Sequence, residues 1–193
     1  METIVNIFVT DMCPVISAQS VCDKHSSKMV VESGQMLSTA HRMLDGQMEL
    51  RRSKSGKRMV KYFVHPNSNL EAVLYKAVHH YHPCTVWSME SKENYIWHYK
   101  HFVALAEEFE FRYGKNHMTI NKLREVLKAP PSNIPSLGLT EFPQAMSHFP
   151  DCKVEGNPVQ AYRNYYHMAK PFAKWEKGRS APNWWEGYKG LNG

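Results

Sequence analysis

Apolar residues recur at helical spacing over residues 23–44 and again over 92–113, and neither run contains proline. The first run predicts a helix of about six turns. Asp23 suits its N-cap, and Ser26 and Ser27 are tolerated in its first turn. At about 100° per residue, His25, Lys28, Glu32, Gln35, Thr39 and Arg42 share one polar arc, with Val30, Leu37 and Leu44 broadly opposite. Met29, Met36 and Met43 run along the polar edge, and Ser33, Gly34 and Ala40 allow close approach elsewhere. A surface helix would carry more Lys and Glu and less Met, so the pattern predicts burial on most sides. Ionisable groups are costly to bury unless paired. Two readings fit them: a site with base, amine, carboxylate and amide in one cleft, or an internal network in which Glu32 pairs with Lys28 at i,i+4 spacing.

The second run predicts a helix from Lys92 to Tyr113, capped by Ser91 and ended by Gly114. Its apolar set of Tyr95, Ile96, Tyr99, Phe102, Val103, Leu105, Ala106 and Phe109 should pack on the first long helix. Shorter elements surround the pair. Residues 3–9 are β-rich and read as a short strand, after which Asp11 caps a short helix with Pro14 in its first turn. Residues 47–64 read as a hairpin turning at Ser55-Gly56. Further helices are expected over 69–78, through Trp87, from Thr119 to Lys128, and from Asn157-Pro158 to Lys170. Pro130, Pro131, Pro135, Pro143 and Pro150 leave no room for a long helix between 129 and 150, while Leu137, Leu139, Phe142 and Met146 predict an ordered loop draped over the core. The expected fold is mainly α: one compact helical domain with a short N-terminal strand and a small basic β-hairpin.

Composition narrows the class. A chain of 193 residues with 42% hydrophobic content is enough for one domain with a real core. No apolar run reaches membrane-spanning length and no signal peptide is evident, so a soluble intracellular protein without a membrane partner is expected. Cys13, Cys22, Cys84 and Cys152 form no Cys-x-x-Cys pair and read as reduced core residues. The eleven histidines, including His79, His80, His82, His98 and His101, match no metal-site spacing, and neither metal nor cofactor is expected. There is no Gly-rich phosphate loop, Gly-x-Ser-x-Gly elbow or His-Glu-x-x-His motif.

The net charge of +6 permits a polyanionic partner. Arg51, Arg52, Lys54, Lys57, Arg58 and Lys61 lie in the hairpin with no acidic residue between them. This is either a phosphate-contacting arm or a solvated hairpin that protects an edge. The tail from Phe172 interleaves aromatics with cations, a composition suited to nucleic acid. Alternatively Trp175, Trp184 and Trp185 cap the core.

The motif Asp23-Lys-His-x-x-Lys28-Met-x-x-Glu32-x-x-Gln35-x-Leu-Ser-Thr-Ala-His41-Arg42 resembles the hallmark of a family of uncharacterised tailed-phage proteins. The resemblance continues through His82-Pro-x-x-x-Trp87, Ser91-Lys-Glu-Asn-Tyr95-x-Trp97, Arg112-Tyr-Gly-Lys115-x-His117, Pro143-Gln-Ala-Met146, Ala161-Tyr-Arg163-Asn-Tyr-Tyr166 and Trp184. It covers nearly the whole chain except the hairpin. The Lys28-x-x-x-Glu32-x-x-Gln35 helix and the His82-Pro segment are remotely similar to bacterial pyrimidine dimer DNA glycosylases.

That resemblance implies a DNA-acting enzyme of glycosylase or base-modifying type in the cytoplasm of an infected host cell. A glycosylase that also cuts the strand needs an amine to attack the sugar C1′, a carboxylate to stabilise the developing cation, and a flipped nucleotide. The dimer-specific enzymes use an α-amino group freed by removal of the initiator methionine. Glu2 is too large for that removal, so Lys28 is the expected amine, with Glu32 as carboxylate, His25 and His41 as proton carriers and Gln35 reading a base edge. Arg51, Arg52, Lys54, Lys57, Arg58, Arg112, Lys115 and Arg163 are expected to hold phosphates, and Trp184 and Trp185 to stack on bases. The alternatives are a non-catalytic DNA-binding accessory protein and a nucleotide-handling enzyme.

Overall fold

Two 22-residue helices, α2 (Asp23–Leu44) and α5 (Lys92–Tyr113), form the frame of a computed structural model described over residues 5–190. In chain order the other elements are α1 (Pro14–Ser20), β1 (Gln47–Arg52), β2 (Met59–Val64), α3 (Ser68–Val73), α4 (Pro83–Glu90), α6 (Met118–Leu123), a 3-10 turn (Pro150–Cys152) and α7 (Pro158–Ala169). Helix accounts for 46% of the chain against one two-stranded antiparallel sheet among the described residues, a mainly α architecture. No helix of the described residues is long and apolar enough to cross a membrane.

Local chemistry sets the boundaries. Ser91 Oγ accepts from Glu93 N at 3.2 Å to start α5, and Gly114, at φ 65°, ends it where a residue with a Cβ would be strained. Pro83 and Pro158 open α4 and α7 behind His82 and Asn157, whose side chains cap the first free amides. Asp23 heads α2 but does not cap it. Its carboxylate accepts instead from Arg112 Nη1 at 3.0 Å and from Glu176 N at 2.7 Å, tying the helix start to α5 and the tail.

The core lies between α2 and α5. Met29, Val30, Met36, Leu37 and Ala40 meet a set that includes Tyr95, Phe102 and Leu105, all almost completely buried. Each large side chain removed from water contributes about 1.5–3 kcal/mol before entropy is counted. α6 crosses α2 at Gly34, where an added Cβ would stand 2.8 Å from Thr119 Cγ2.

Several expected elements differ. α6 ends at Leu123 rather than Lys128, with His117 and not Thr119 at its N-cap, and α1 has Cys13 and not Asp11 at its N-cap. Residues 5–9 form no strand, and residues 3 and 4 lie outside the described residues. Instead of a ladder partner this buried segment has Asn6. Asn6 Nδ2 donates to Ala145 O at 2.8 Å, and Asn6 Oδ1 accepts from Ile7 N at 2.8 Å and Tyr162 OH at 2.8 Å. Side-chain bonds thus replace the sheet, and Phe8, at φ 53°, breaks the extended path. The helix expected to reach residue 78 stops at Val73 because its last carbonyls have other partners. Arg42 donates to the carbonyls of Glu71, Leu74 and Tyr75, and Thr39 Oγ1 takes both polar backbone groups of Val78 at 3.0 Å.

Candidate functional site

The N-terminal half of α2 puts three of the expected residues in one corner. Glu32 is 4% exposed, accepts from Asn6 N at 3.2 Å through Oε2, and has Lys28 Nζ 3.0 Å from Oε1. Burial raises the Glu32 pKa, opposed by Lys28, the Asn6 amide and Lys170. Lys28 keeps 41% of its side chain exposed, so the pair has one foot in water. Gln35 is half-buried one turn on.

His25 lies beneath this corner. Its Nδ1 is 2.6 Å from Tyr166 OH and its ring stacks on Phe8 at 4.4 Å. Burial, then the charges of Lys170, Lys28 and Lys24, lower its pKa to about 3, so the ring is neutral at physiological pH. A neutral, stacked imidazole locked to a phenol positions its neighbours. It is not poised to cycle a proton near pH 7, as the sequence reading expected.

The amine best suited to chemistry is one the sequence reading passed over. Lys170, at the C-cap of α7, lies 4.1 Å from the centroid of the Tyr165 ring and 5.3 Å from that of Phe8. Burial, followed by the Lys28 charge, lowers its pKa to about 8, while Cys22, Cys152 and, least of the three, Glu32 pull it upward. Glu32 and Lys170 therefore feel each other across the same corner, with Lys28 as the third charge. Phe8 is held at positive φ against this lysine, and a non-glycine residue there costs about 1–3 kcal/mol, strain of a kind that concentrates at functional sites.

A cavity of about 590 Å³ adjoins the corner, lined by Val5, His82, Met146, His148, Lys153 and Tyr165 among others. Tyr165 joins the two, presenting one ring to both the cavity and Lys170. The volume falls in the range of small-molecule sites.

The remaining expected residues are scattered. His41 lies nine residues beyond Glu32, about 13 Å along the axis, and burial lowers its pKa to about 4. Arg112 is buried and bonded to Glu108 Oε1 at 2.6 Å, Asp23 Oδ1 at 3.0 Å and Gln19 O at 3.0 Å, leaving no face for a phosphate. Arg163 is half-buried and donates to Thr10 O at 3.0 Å. Trp184 and Trp185 are half-buried against Tyr166, Trp175 and His167, which makes them a cap on the core. Lys115 is exposed beyond α5. On the hairpin, Arg51 is held by Glu49 at 3.0 Å and by the Tyr62 ring at 3.9 Å, whereas Arg52, Lys54, Lys57, Arg58 and Lys61 are exposed with no ion pair among the described residues.

No family profile, curated protein or solved structure matches this chain.

Proposed function

We propose that the chain is an enzyme acting on DNA bases, a glycosylase with associated lyase chemistry, in which Lys170 is the amine and Glu32 the carboxylate. The observation that carries this reading is a lysine, packed on Phe8 and Tyr165, whose pKa is lowered to about 8 within the field of the buried Glu32 carboxyl and its partner Lys28. The resemblance to phage proteins and to pyrimidine dimer glycosylases supports a DNA substrate.

In this scheme neutral Lys170 Nζ attacks C1′ as the glycosidic C–N bond breaks, and the base leaves as its anion and takes a proton from water. Glu32 stabilises the positive charge that develops on the sugar and takes a proton from the attached ammonium. It returns that proton to O4′ as the sugar ring opens to the protonated imine. The Glu32 carboxylate then takes a C2′ proton, and the 3′ phosphate leaves with the electrons of its C–O bond. Lys28 holds Glu32 in place and keeps Lys170 partly neutral.

The pH profile tests this assignment. Attack needs the unprotonated amine, so imine formation trapped by borohydride should rise through about pH 8 and level off above it. Lys28→Met removes a charge that lowers the Lys170 pKa, so the midpoint should move upward. A midpoint unmoved by that change, or one at the ordinary lysine value, would count against Lys170.

The unpaired hairpin cations favour a second reading, a DNA-binding protein that works through its arm. If they contact phosphate, replacing Arg52, Lys54, Lys57 and Arg58 by Gln should flatten the slope of log affinity against log salt by about 0.9 per lost contact, while Glu32→Gln leaves it unchanged. An unaltered slope would mark the hairpin as a solvated edge.

A further inference from the structure

At the far end of α2 a second buried cluster stands apart from the Glu32 corner. His41 in the last turn, Asp45 at its C-cap and His65 just after β2 each place one ligand atom within 4.8 Å of the others. The two histidines are 3% and 5% exposed, yet His41 Nδ1 and His65 Nε2 have no hydrogen-bond partner. Each such orphan costs about 1–3 kcal/mol, so the pair calls for an occupant.

The surrounding bonds define what each atom offers. Tyr95 OH donates to Leu127 O at 2.9 Å, so its oxygen accepts from His41 Nε2–H at 2.9 Å. His41 Nδ1 therefore keeps its lone pair. The Asp45 carboxylate accepts Ser132 N at 2.7 Å and Asn133 N at 2.9 Å, which fixes its orientation, and its Oδ2 lies 3.9 Å from His65 Nε2. A cavity of about 600 Å³ opens on the three residues and also reaches Asn67, Glu125 and Ala129.

We propose that His41 Nδ1, Asp45 and His65 Nε2 bind a divalent first-row transition metal ion, Zn²⁺ by the character of the donors, with a further coordination position open to the cavity. Tyr95 and the two loop amides supply the outer bonds that orient such ligands. Ligands at about 2.0–2.1 Å from a tetrahedral ion stand about 3.4 Å apart, so the donors close on it with shifts under about 1 Å.

His65 decides the cost. Its Nδ1 accepts from Asn67 N at 3.1 Å, so without an ion Nε2 carries the proton. Binding through Nε2 requires that proton to move, by way of solvent, to Nδ1 with no net release, giving up the Asn67 bond. Asn67 is exposed and water replaces the partner at about 1 kcal/mol, small against the roughly 10 kcal/mol or more of a structural zinc site. The ion would staple the end of α2, the base of the basic hairpin and the loop at 132–133.

The rival occupant is one water molecule that accepts from His65 Nε2–H and donates to His41 Nδ1 and Asp45. Titration of the chelator-treated full chain with Zn²⁺ and Co²⁺ separates the two. The proposal expects one ion per chain at micromolar or tighter affinity, a raised thermal midpoint, and visible Co²⁺ bands of tetrahedral nitrogen and oxygen ligation. Affinity should fall at least about tenfold in Asp45→Asn and in His65→Gln, but not in His148→Gln. No stoichiometric binding by the folded wild type overturns the proposal, as does a Co²⁺ spectrum unaltered in both folded variants.

Discussion

Glu32→Gln is expected to reduce base excision by about 10²–10⁴-fold while leaving the fold intact. The amide is isosteric, so its single oxygen can keep the Asn6 N bond that Oε2 makes at 3.2 Å, while the Lys28 contact at Oε1 is given up. What is lost is the negative charge, and with it both the stabilisation of the sugar cation and the acceptor for the Lys170 proton. Burial makes the loss larger than it would be in water, because little solvent screens the charge at a residue 4% exposed. The removal of Glu32 also takes away an upward pull on the Lys170 pKa, so that lysine should titrate lower in the variant. Excision measured beside a circular dichroism spectrum checks both halves. Activity within a fewfold of wild type, with the fold unchanged, would remove Glu32 from the chemistry.

Arg42→Met is expected to cost about 3–5 kcal/mol of stability, the largest structural effect of any single change considered. Arg42 is 1% exposed and donates to Tyr75 O at 2.7 Å, Phe63 O at 2.7 Å, Glu71 O at 3.1 Å, Leu74 O at 3.1 Å and the Glu71 carboxylate. Methionine fills much of the volume but satisfies none of these acceptors. Glu71 would keep bonds from Tyr62 OH at 2.8 Å and His65 N at 2.8 Å yet lose its counter-charge. A domain of this size has about 5–15 kcal/mol of stability, so the variant sits near the threshold, with a thermal midpoint about 10 °C or more lower. Urea denaturation against an Arg51→Met control reads the difference, since Arg51 is exposed and should change stability by under about 0.5 kcal/mol. A loss under about 1 kcal/mol for Arg42→Met would mean that water reaches those carbonyls.

The long helices were legible from periodicity, and α5 from its caps as well. Residues 23–44 and 92–113 are helical and Ser91 and Gly114 flank α5 as expected, whereas Cys22 and not Asp23 is the N-cap of α2. The hairpin and the start of α7 followed from turn and proline chemistry in the same way. What escaped depended on contacts distant in sequence. Residues 5–9 have the composition of a strand, but a strand needs a partner, and Asn6 supplied side-chain bonds to Ala145 and Tyr162 instead. Of the site, Glu32 and Lys28 could be found because one helix face carries both. Lys170 could not, since its lowered pKa arises from packing on Phe8 and Tyr165 and from the Lys28 charge on another helix. One weak signal was available: a lone lysine closing a helix one turn after Tyr165 and Tyr166. The His41, Asp45 and His65 cluster at α2's end was hidden for the same reason, because His65 reaches it only once the hairpin has folded back.

The most direct test of the account is to identify the residue captured by DNA. Wild type, Glu32→Gln and Lys170→Arg are incubated with borohydride on undamaged duplex, ultraviolet-irradiated duplex and duplex carrying phage-type modified pyrimidines, and any adduct is mapped by mass spectrometry. The account predicts an adduct on one of these substrates, joined to Lys170, weakened in Glu32→Gln and absent in Lys170→Arg, which keeps the cation over Tyr165 but supplies no nucleophile. An adduct mapped to Lys28 or any other amine, or none on any duplex, would contradict it.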